Sequence, residues 1–187
     1  MCGARQPTLH NECHKSAIVI AAATDYTNRE AQMLIHALKY NRVRSTTAPL
    51  VHVLMQYISS RKELAAHGGF LLVPIPLHKK KMRERGFNQA ELIAEMLYTK
   101  LPDKFSYCGN ALIRTRDTQS QTAQKSHTER NKNMKDAFVV QNDYGIKGKI
   151  IFLVDDVSTS GATLREASRA LKNAGARSVF GLVVAKA

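Results

Sequence analysis

The stretch IIFLVDDVSTSGATL, residues 150–164, is the part of the sequence that decides the fold. An apolar run ends in two adjacent carboxylates, Asp155 and Asp156, and a small, hydroxyl-rich turn separates them from a helical pattern. This order predicts a buried strand, then a loop, then a helix. Backbone N–H groups at a helix N-terminus lack intrahelical partners and the helix dipole is positive there. The loop therefore favours an anion such as a phosphate.

The turn itself supplies side chains that suit a phosphate. Hydroxyl groups can add hydrogen-bond donors, and a glycine lets the backbone approach closely or take a positive φ. The candidate phosphate loop consists of Ser158, Thr159, Ser160, Gly161, Ala162 and Thr163. Carboxylates beside a phosphate would repel it unless their own partner is a sugar hydroxyl or a metal ion, so the combination indicates a ribose phosphate. The plainer alternative is a strand whose acidic end and glycine turn only cap the next helix.

Residues 154–163 resemble the phosphoribosyl pyrophosphate (PRPP) signature of type I phosphoribosyltransferases. The resemblance implies that Asp155 and Asp156 contact the ribose hydroxyls and that the following loop holds the 5′-phosphate. It also implies the α/β fold of that family, an open, mainly parallel twisted sheet flanked by helices. The alternation of strand and helix patterns along the chain predicts the same parallel sheet, covered on both faces.

A second strand end is visible upstream, at residues 70–75. The run FLLVPI is apolar throughout, as is typical of a parallel strand buried on both faces, and the basic segment HKKKMRER follows it at residues 78–85. Such a charge run is usually a solvated loop. Ligands of open parallel sheets, however, bind outside the carboxyl ends of strands, which favours a role in anion binding here. A helix is predicted from Gln89, with Asn88 and Glu91 as its capping box.

The segments around this strand carry a narrower resemblance. VPIPL at residues 73–77 and RGFNQA at residues 85–90 resemble the ComF family, phosphoribosyltransferase-like proteins linked to natural competence and DNA uptake. Residues 31–40 resemble the leading helix of that family, so the match covers roughly residues 21–187. It implies that the loop after the strand binds the pyrophosphate of PRPP, and Ile75–Pro76 is a candidate cis peptide bond in it. The residues of this pyrophosphate loop are Pro76, Leu77, His78 and Lys79.

A long polar segment, RTRDTQSQTAQKSHTERNKNM, occupies residues 114–134 and contains no apolar periodicity, proline or glycine. Long polar loops inside compact domains are often active-site lids, so a lid is predicted, with a surface excursion as the plainer alternative. Its position resembles that of the flexible catalytic loop of phosphoribosyltransferases. Arg114 and Arg116 are expected to reach the pyrophosphate, because guanidinium groups bind phosphate oxygens bidentately.

The remaining patterns complete the predicted α/β order. Helices are predicted at residues 27–40, with Thr27 and Glu30 as a capping box, and at residues 47–60. In the first helix, His36 and Lys39 are more typical of a solvated face than of ligand contacts. The segments predicted to form strands are residues 16–23, 111–113, 137–141, 149–157 and 178–185, and residues 102–109 are predicted to form a loop.

Composition limits the class of protein and its partners. The chain has 187 residues, is 44% hydrophobic and has no apolar run of membrane-spanning length, which fits one soluble domain without membrane insertion. The N-terminus shows no secretory pattern, which favours a cytoplasmic location. Lysine and arginine number 28 against 15 acidic residues, and the resulting net charge of +13 attracts polyanions.

The N-terminal residues depart from the ComF pattern. Members of that family commonly begin with a four-cysteine zinc ribbon, whereas only Cys2 and Cys13 stand in this region, so zinc is not expected. Three cysteines in total also argue against a disulfide framework. We therefore expect residues 1–16 to be a degenerate or truncated N-terminal segment and residues 17–187 to form the phosphoribosyltransferase-like domain.

Two functions remain open from the sequence. The first is a glycosyltransferase of the phosphoribosyltransferase class that uses PRPP and Mg²⁺, with Asp155, Asp156, Arg114 and Arg116 as candidate catalytic residues and the metal held through the substrate and the two aspartates. The second is a non-catalytic or weakly catalytic DNA-uptake factor that binds single-stranded DNA through its basic surface. Against the second, the six Phe and six Tyr residues form no interleaved aromatic–basic motif for stacking bases. The acceptor and the oligomeric state are left open.

Overall fold

The computed structural model describes residues 18–117, 136–141 and 145–187. The strands are β1 (Ile20–Asp25), β2 (Phe70–Pro74), β3 (Phe105–Tyr107), β4 (Leu112–Arg114), β5 (Phe138–Val140), β6 (Ile150–Ser158) and β7 (Ser178–Lys186). The helices are α1 (Arg29–Tyr40), α2 (Thr47–Ser60), α3 (Lys62–Ala66), α4 (Lys79–Arg85), α5 (Gln89–Lys100) and α6 (Ala162–Asn173), and a 3₁₀ turn covers Arg44–Thr46. The expected N-terminal segment 1–16 and residues 118–134 of the expected lid lie outside the described residues.

Five strands form one sheet in the order β1-β7-β6-β2-β3, and every neighbouring pair in it is parallel. Strands β4 and β5 form a separate antiparallel ribbon. The predicted mainly parallel α/β sheet is therefore confirmed. In the register of the two central strands Pro74 lies opposite Val154, so β2 and β6 end at the same edge of the sheet.

Helices cover both faces of this sheet. On one face, buried residues of α1, α2 and α5 pack with Leu72, Phe152 and Val154. On the other face, buried residues of α6 pack with Leu153 and with the β4–β5 ribbon. Strand β6 lies between two neighbours and contributes apolar side chains to both cores, which explains the apolar run at residues 150–154.

Caps fix where the helices near the sheet edge begin. The N-cap of α1 is Asn28, whose side chain accepts a hydrogen bond from the backbone N–H of Ala31 at 3.1 Å. The predicted Thr27–Glu30 capping box is therefore wrong, because the neighbouring Asn28 takes the capping position. Helix α5 begins as predicted, with the Asn88 side chain accepting from the backbone N–H of Ala90 at 3.1 Å.

Three further predictions need correction. The basic run after β2 forms helix α4 instead of a loop, and it ends at Gly86 in the left-handed conformation, with φ of 80°. The predicted loop at residues 102–109 contains the short edge strand β3, which pairs with β2. The Ile75–Pro76 peptide bond is trans.

None of the helices among the described residues combines the length and the apolar content that crossing a bilayer requires.

Candidate ribose-phosphate site

The acid pair stands near the carboxyl end of β6, and its two side chains point to opposite faces of the sheet. Asp156 is only 4% exposed, whereas Asp155 is half-buried. Local hydrogen bonds orient both carboxylates. Asp155 Oδ1 accepts from the backbone N–H of Asp156 at 2.9 Å, and Asp156 Oδ1 accepts from that of Val157 at 2.7 Å.

Lys39, in the last turn of α1, forms an ion pair with Asp156. The distance from Lys39 Nζ to Asp156 Oδ1 is 2.9 Å. Burial alone would lower the pKa of Lys39, but the charges of Asp156 and Asp155 outweigh it and the pKa is raised. The second carboxylate oxygen, Asp156 Oδ2, is buried without a hydrogen-bond partner among the described residues. One oxygen of this carboxylate thus holds the helix, and the other is a buried acceptor without a partner among the described residues.

Asp155 lies on the face that carries the β4–β5 ribbon. Burial first, and the charge of Asp156 second, raise the pKa of Asp155 to about 7, against the opposing effects of Lys39 and Arg114. The side chain of Asp155 therefore holds a proton far more readily than an exposed carboxyl group. Such a perturbed acid at a strand end is typical of a functional site.

The candidate phosphate loop, residues 158–163, connects β6 to α6. Its Ser158 Oγ is buried without a hydrogen-bond partner among the described residues, and Ser160 Oγ accepts from the backbone N–H of Ala162 at 3.4 Å. Gly161 precedes the helix with φ of 72°, and a Cβ there would lie 3.0 Å from Ile20 Cδ1. The positive φ favours glycine, and a larger residue would also push the Ile20 side chain aside. The loop therefore presents backbone and hydroxyl groups at the N-terminus of a helix of 12 residues.

The candidate pyrophosphate loop leaves β2 at the same edge of the sheet. The backbone N–H of Ile75 donates to the Val154 carbonyl oxygen at 2.9 Å, and the amide of Asn88 donates to the Ile75 carbonyl oxygen at 3.0 Å. These bonds tie the loop both to β6 and to the start of α5. Pro76, Leu77 and His78 are half-buried, and Lys79 is exposed at the start of α4.

The two predicted arginines differ in their surroundings. Arg114 ends β4, half-buried, with its guanidinium carbon 5.7 Å from the centroid of the Phe138 ring. Burial lowers the pKa of Arg114, and the charges of Asp155 and Asp117 oppose this effect, so its guanidinium lies within electrostatic reach of the acid pair. Arg116 is exposed, and Asp117 beside it lies 3.6 Å from His78, measured from Oδ1 to Nδ1. The start of the predicted lid thus meets the candidate pyrophosphate loop.

Sequence reasoning missed several basic side chains of this site. Lys39 was expected on a solvated face but pairs with Asp156. Burial, followed by the charges of Arg114 and Arg85, lowers the pKa of Lys81, which places Lys81 in the same cluster of positive charge. Arg85 donates to Gln89 Oε1 at 2.9 Å. These residues come from distant parts of the chain, so only the packing of α1 and α4 against the sheet could reveal them.

Comparison with known proteins identifies the family. The model of the phosphoribosyl transferase domain matches residues 86–186, a little over half of the chain. The chain belongs to the phosphoribosyl transferase family. The match covers β6, the candidate phosphate loop and both arginines.

Similar curated proteins narrow the type within that family. DNA utilization protein YhgH of Escherichia coli (strain K12) is 30% identical over 147 residues, 78% of this chain and 63% of that protein. Competence protein ComFC of Bacillus subtilis (strain 168) is 40% identical over 106 residues, 57% of this chain and 40% of that protein. Competence protein F of Haemophilus influenzae is 32% identical over 113 residues, 58% of this chain and 46% of that protein. The phosphoribosyl transferase family member described here is thus of the ComF type, and it spans less than two thirds of these relatives' length.

Proposed function

We propose that this protein binds PRPP along the edge of the sheet where β2 and β6 end, and transfers the phosphoribosyl group to a nitrogen acceptor. The observation that carries the proposal is the meeting of three groups at one edge. These are the acid pair, a hydroxyl-rich loop at a helix N-terminus, and a loop that leads into a basic helix. A cytoplasmic location, where PRPP is made and used, belongs to the same proposal.

Each part of the ligand has a matching group in this arrangement. The 5′-phosphate would accept hydrogen bonds from backbone N–H groups and hydroxyls of residues 158–163. The ribose hydroxyls would donate to Asp155 and to the buried Asp156 Oδ2, which has no other partner among the described residues. The pyrophosphate would lie against residues 76–79, with Arg114 and Arg116 as its cationic partners.

The reaction follows from where charge would develop. The bond from the anomeric carbon to the pyrophosphate oxygen breaks, and a bond from that carbon to the acceptor nitrogen forms. Positive charge grows on the ribose as the pyrophosphate departs with the bonding electrons. The carboxylates of Asp155 and Asp156 would stabilise that charge, and the basic side chains around the pyrophosphate loop would stabilise the leaving group.

Mg²⁺ fits these residues as a metal shared with the substrate. Among the residues that the structure describes, no group of three or more His, Cys, Asp and Glu side chains could hold an ion alone. Two carboxylates with one unpartnered oxygen suit Mg²⁺, which commonly combines one or two carboxylates with substrate oxygens and waters. When bound, Mg²⁺ would neutralise the pyrophosphate and help it leave.

Calorimetric titration with PRPP and Mg²⁺ tests this function. We expect measurable binding by the wild type and its loss in the double variant Asp155→Asn/Asp156→Asn. Asp103→Asn is a matched control, because Asp103 is exposed in the turn before β3, at the opposite edge of the sheet. Absence of binding by the wild type, or equal binding by all three proteins, would contradict the proposal.

A second candidate function is a DNA-uptake factor, non-catalytic or weakly catalytic, that binds single-stranded DNA. Two observations favour it: similar proteins are named for DNA utilization and competence, and α4 carries exposed basic residues that include Lys79 and Lys80. Binding through such residues should weaken steeply with salt. Neutralising Lys79, Lys80 and Lys81 together should flatten that dependence, and binding that does not respond to salt would exclude this function.

A further inference from the structure

Tyr40, the last residue of α1, presents an aromatic ring to solvent beside the candidate site. Its exposure is 64%, and it follows Lys39, which pairs with Asp156. Single exposed tyrosines are common on protein surfaces, so exposure alone assigns Tyr40 no role. The groups that surround the ring are what distinguish this tyrosine.

Two side chains flank the Tyr40 ring. His36, one turn earlier in α1, lies with its ring centroid 4.7 Å from that of Tyr40 at an interplanar angle of 41°. The guanidinium carbon of Arg85, at the end of α4, lies 5.9 Å from the Tyr40 centroid. Arg85 is itself oriented by its hydrogen bond to Gln89. An exposed aromatic pair is therefore held next to a fixed cation.

Two more arginines follow in the connection between α1 and α2. Arg42 donates from Nη2 to the Glu84 carbonyl oxygen, and the guanidinium of Arg44 lies 4.8 Å from the centroid of the Phe87 ring. Both contacts place this connection against α4 and the residues just after it. Within residues 18–117, 136–141 and 145–187, neither these two arginines nor Arg85 forms an ion pair with a carboxylate. Their charge is therefore available to an anionic partner.

We propose that Tyr40 and His36 form a stacking subsite for an unpaired nucleobase of a single-stranded nucleic acid, whose phosphates contact Arg42, Arg44 and Arg85. Aromatic rings that stack bases, combined with a basic surface that follows the backbone, are how proteins bind single strands without sequence preference. A duplex hides the faces of its bases. A free nucleoside would leave the three arginines without phosphate partners. The inference rests on the second proposed function and gives it the stacking platform that the sequence did not reveal.

A single tryptophan can report on this subsite, because the chain contains none. We expect a short oligothymidylate to quench the fluorescence of Tyr40→Trp, as the base stacks on the indole. Tyr98→Trp is the matched control. Tyr98 is also an exposed tyrosine, at 41%, but it lies near the C-terminal end of α5 and stacks with Tyr107. The hydroxyl of Tyr107 in turn donates a hydrogen bond to Glu95. Equal quenching of both variants, or of neither, would overturn the proposal.

Affinity measurements supply the second arm. Tyr40→Ala should weaken binding of the oligothymidylate roughly 5- to 150-fold, the usual cost of losing one stacked base, while Tyr40→Phe should bind as the wild type does. An abasic strand of equal length should bind the wild type and Tyr40→Ala equally. Unchanged affinity in Tyr40→Ala would overturn the proposal. So would thymidine monophosphate binding as tightly as the strand, since the ligand would then be a mononucleotide.

Two single variants separate this inference from the PRPP proposal. Tyr40→Ala should retain the PRPP affinity of the wild type, and Asp155→Asn, which leaves the Lys39–Asp156 pair in place, should retain oligothymidylate binding. A protein that binds the strand but not PRPP would refute the transferase proposal and leave the stacking subsite standing. A protein that binds PRPP but not the strand would refute the stacking subsite and leave the transferase proposal standing.

Discussion

The ammonium group of Lys39 lies 2.9 Å from Asp156 Oδ1 and joins the end of α1 to the end of the central strand β6. The side chains of the two residues are only 20% and 6% exposed. A buried pair of this kind is costly to break, because the remaining partner is left as an uncompensated charge. One contact thus contributes to stability and also fixes a carboxylate of the candidate site.

Replacing Lys39 by methionine should destabilise the protein by about 3 kcal/mol, the low end of the range for broken buried pairs. The low end applies because Lys39 keeps some exposure to water. The free energy of unfolding from urea titration measures this change. Lys62→Met is the control, since Lys62 is exposed on α3 and should tolerate the change. Equal stabilities of the two variants would show that the pair contributes little.

Asp155 should make stability fall as the pH rises. Its pKa in the folded protein is raised to about 7, mainly by burial, so the folded state binds the proton more tightly than the unfolded chain does. The contribution of this proton is fully present below the unfolded pKa of about 4 and is lost as the pH rises to about 7.

Asp155→Asn removes this titration and should therefore be more stable than the wild type at pH 8. Its advantage should shrink as the pH falls towards 4. Urea titrations of both proteins across this pH range measure the difference in their free energies of unfolding. Other carboxyl groups titrate alike in the two proteins, so their contributions cancel in this difference. If the difference in unfolding free energy did not change with pH, the raised pKa of Asp155 would be contradicted.

Gly161→Ala should destabilise the protein by about 1–2 kcal/mol, the cost of a left-handed conformation for an L-residue. The added Cβ would also press on Ile20 at 3.0 Å and displace the candidate phosphate loop, so PRPP affinity should fall. Gly145→Ala is the matched control, because Gly145 is exposed and an added Cβ there would meet no heavy atom of the described residues within 4 Å. Thermal unfolding of both variants tests the prediction, and a larger loss in Gly145→Ala would refute it.

The parts of the fold that the sequence predicts well are those with local causes. The apolar runs of β2 and β6 and the side chain of Asn88 act within a few residues, and the structure agrees with them. Strand β3 was not predicted, because it has three residues of which only one is buried. That is too short for an alternation of apolar and polar residues to be recognised. Helix α4 was not predicted, because a dense run of charged residues is more typical of a solvated loop.

The candidate site likewise has parts that the sequence predicts and parts that it does not. The meeting of the two loops could be predicted, because parallel strands bring their carboxyl ends to one edge. The pairing of Lys39 with Asp156 and the approach of Arg85 to Tyr40 could not, because each joins segments whose distance in space depends on helix packing. These contacts are the ones that add cations and an aromatic surface to the predicted anion site.

The central claim is that one PRPP molecule spans the loops after β2 and β6. The most direct test is calorimetric comparison of PRPP with ribose 5-phosphate, both with Mg²⁺, on the wild-type protein. The account predicts that PRPP binds more tightly by at least about tenfold, or roughly 1.4 kcal/mol, because only PRPP also reaches residues 76–79. Ribose 5-phosphate binding as tightly as PRPP, or no binding of either, would contradict it.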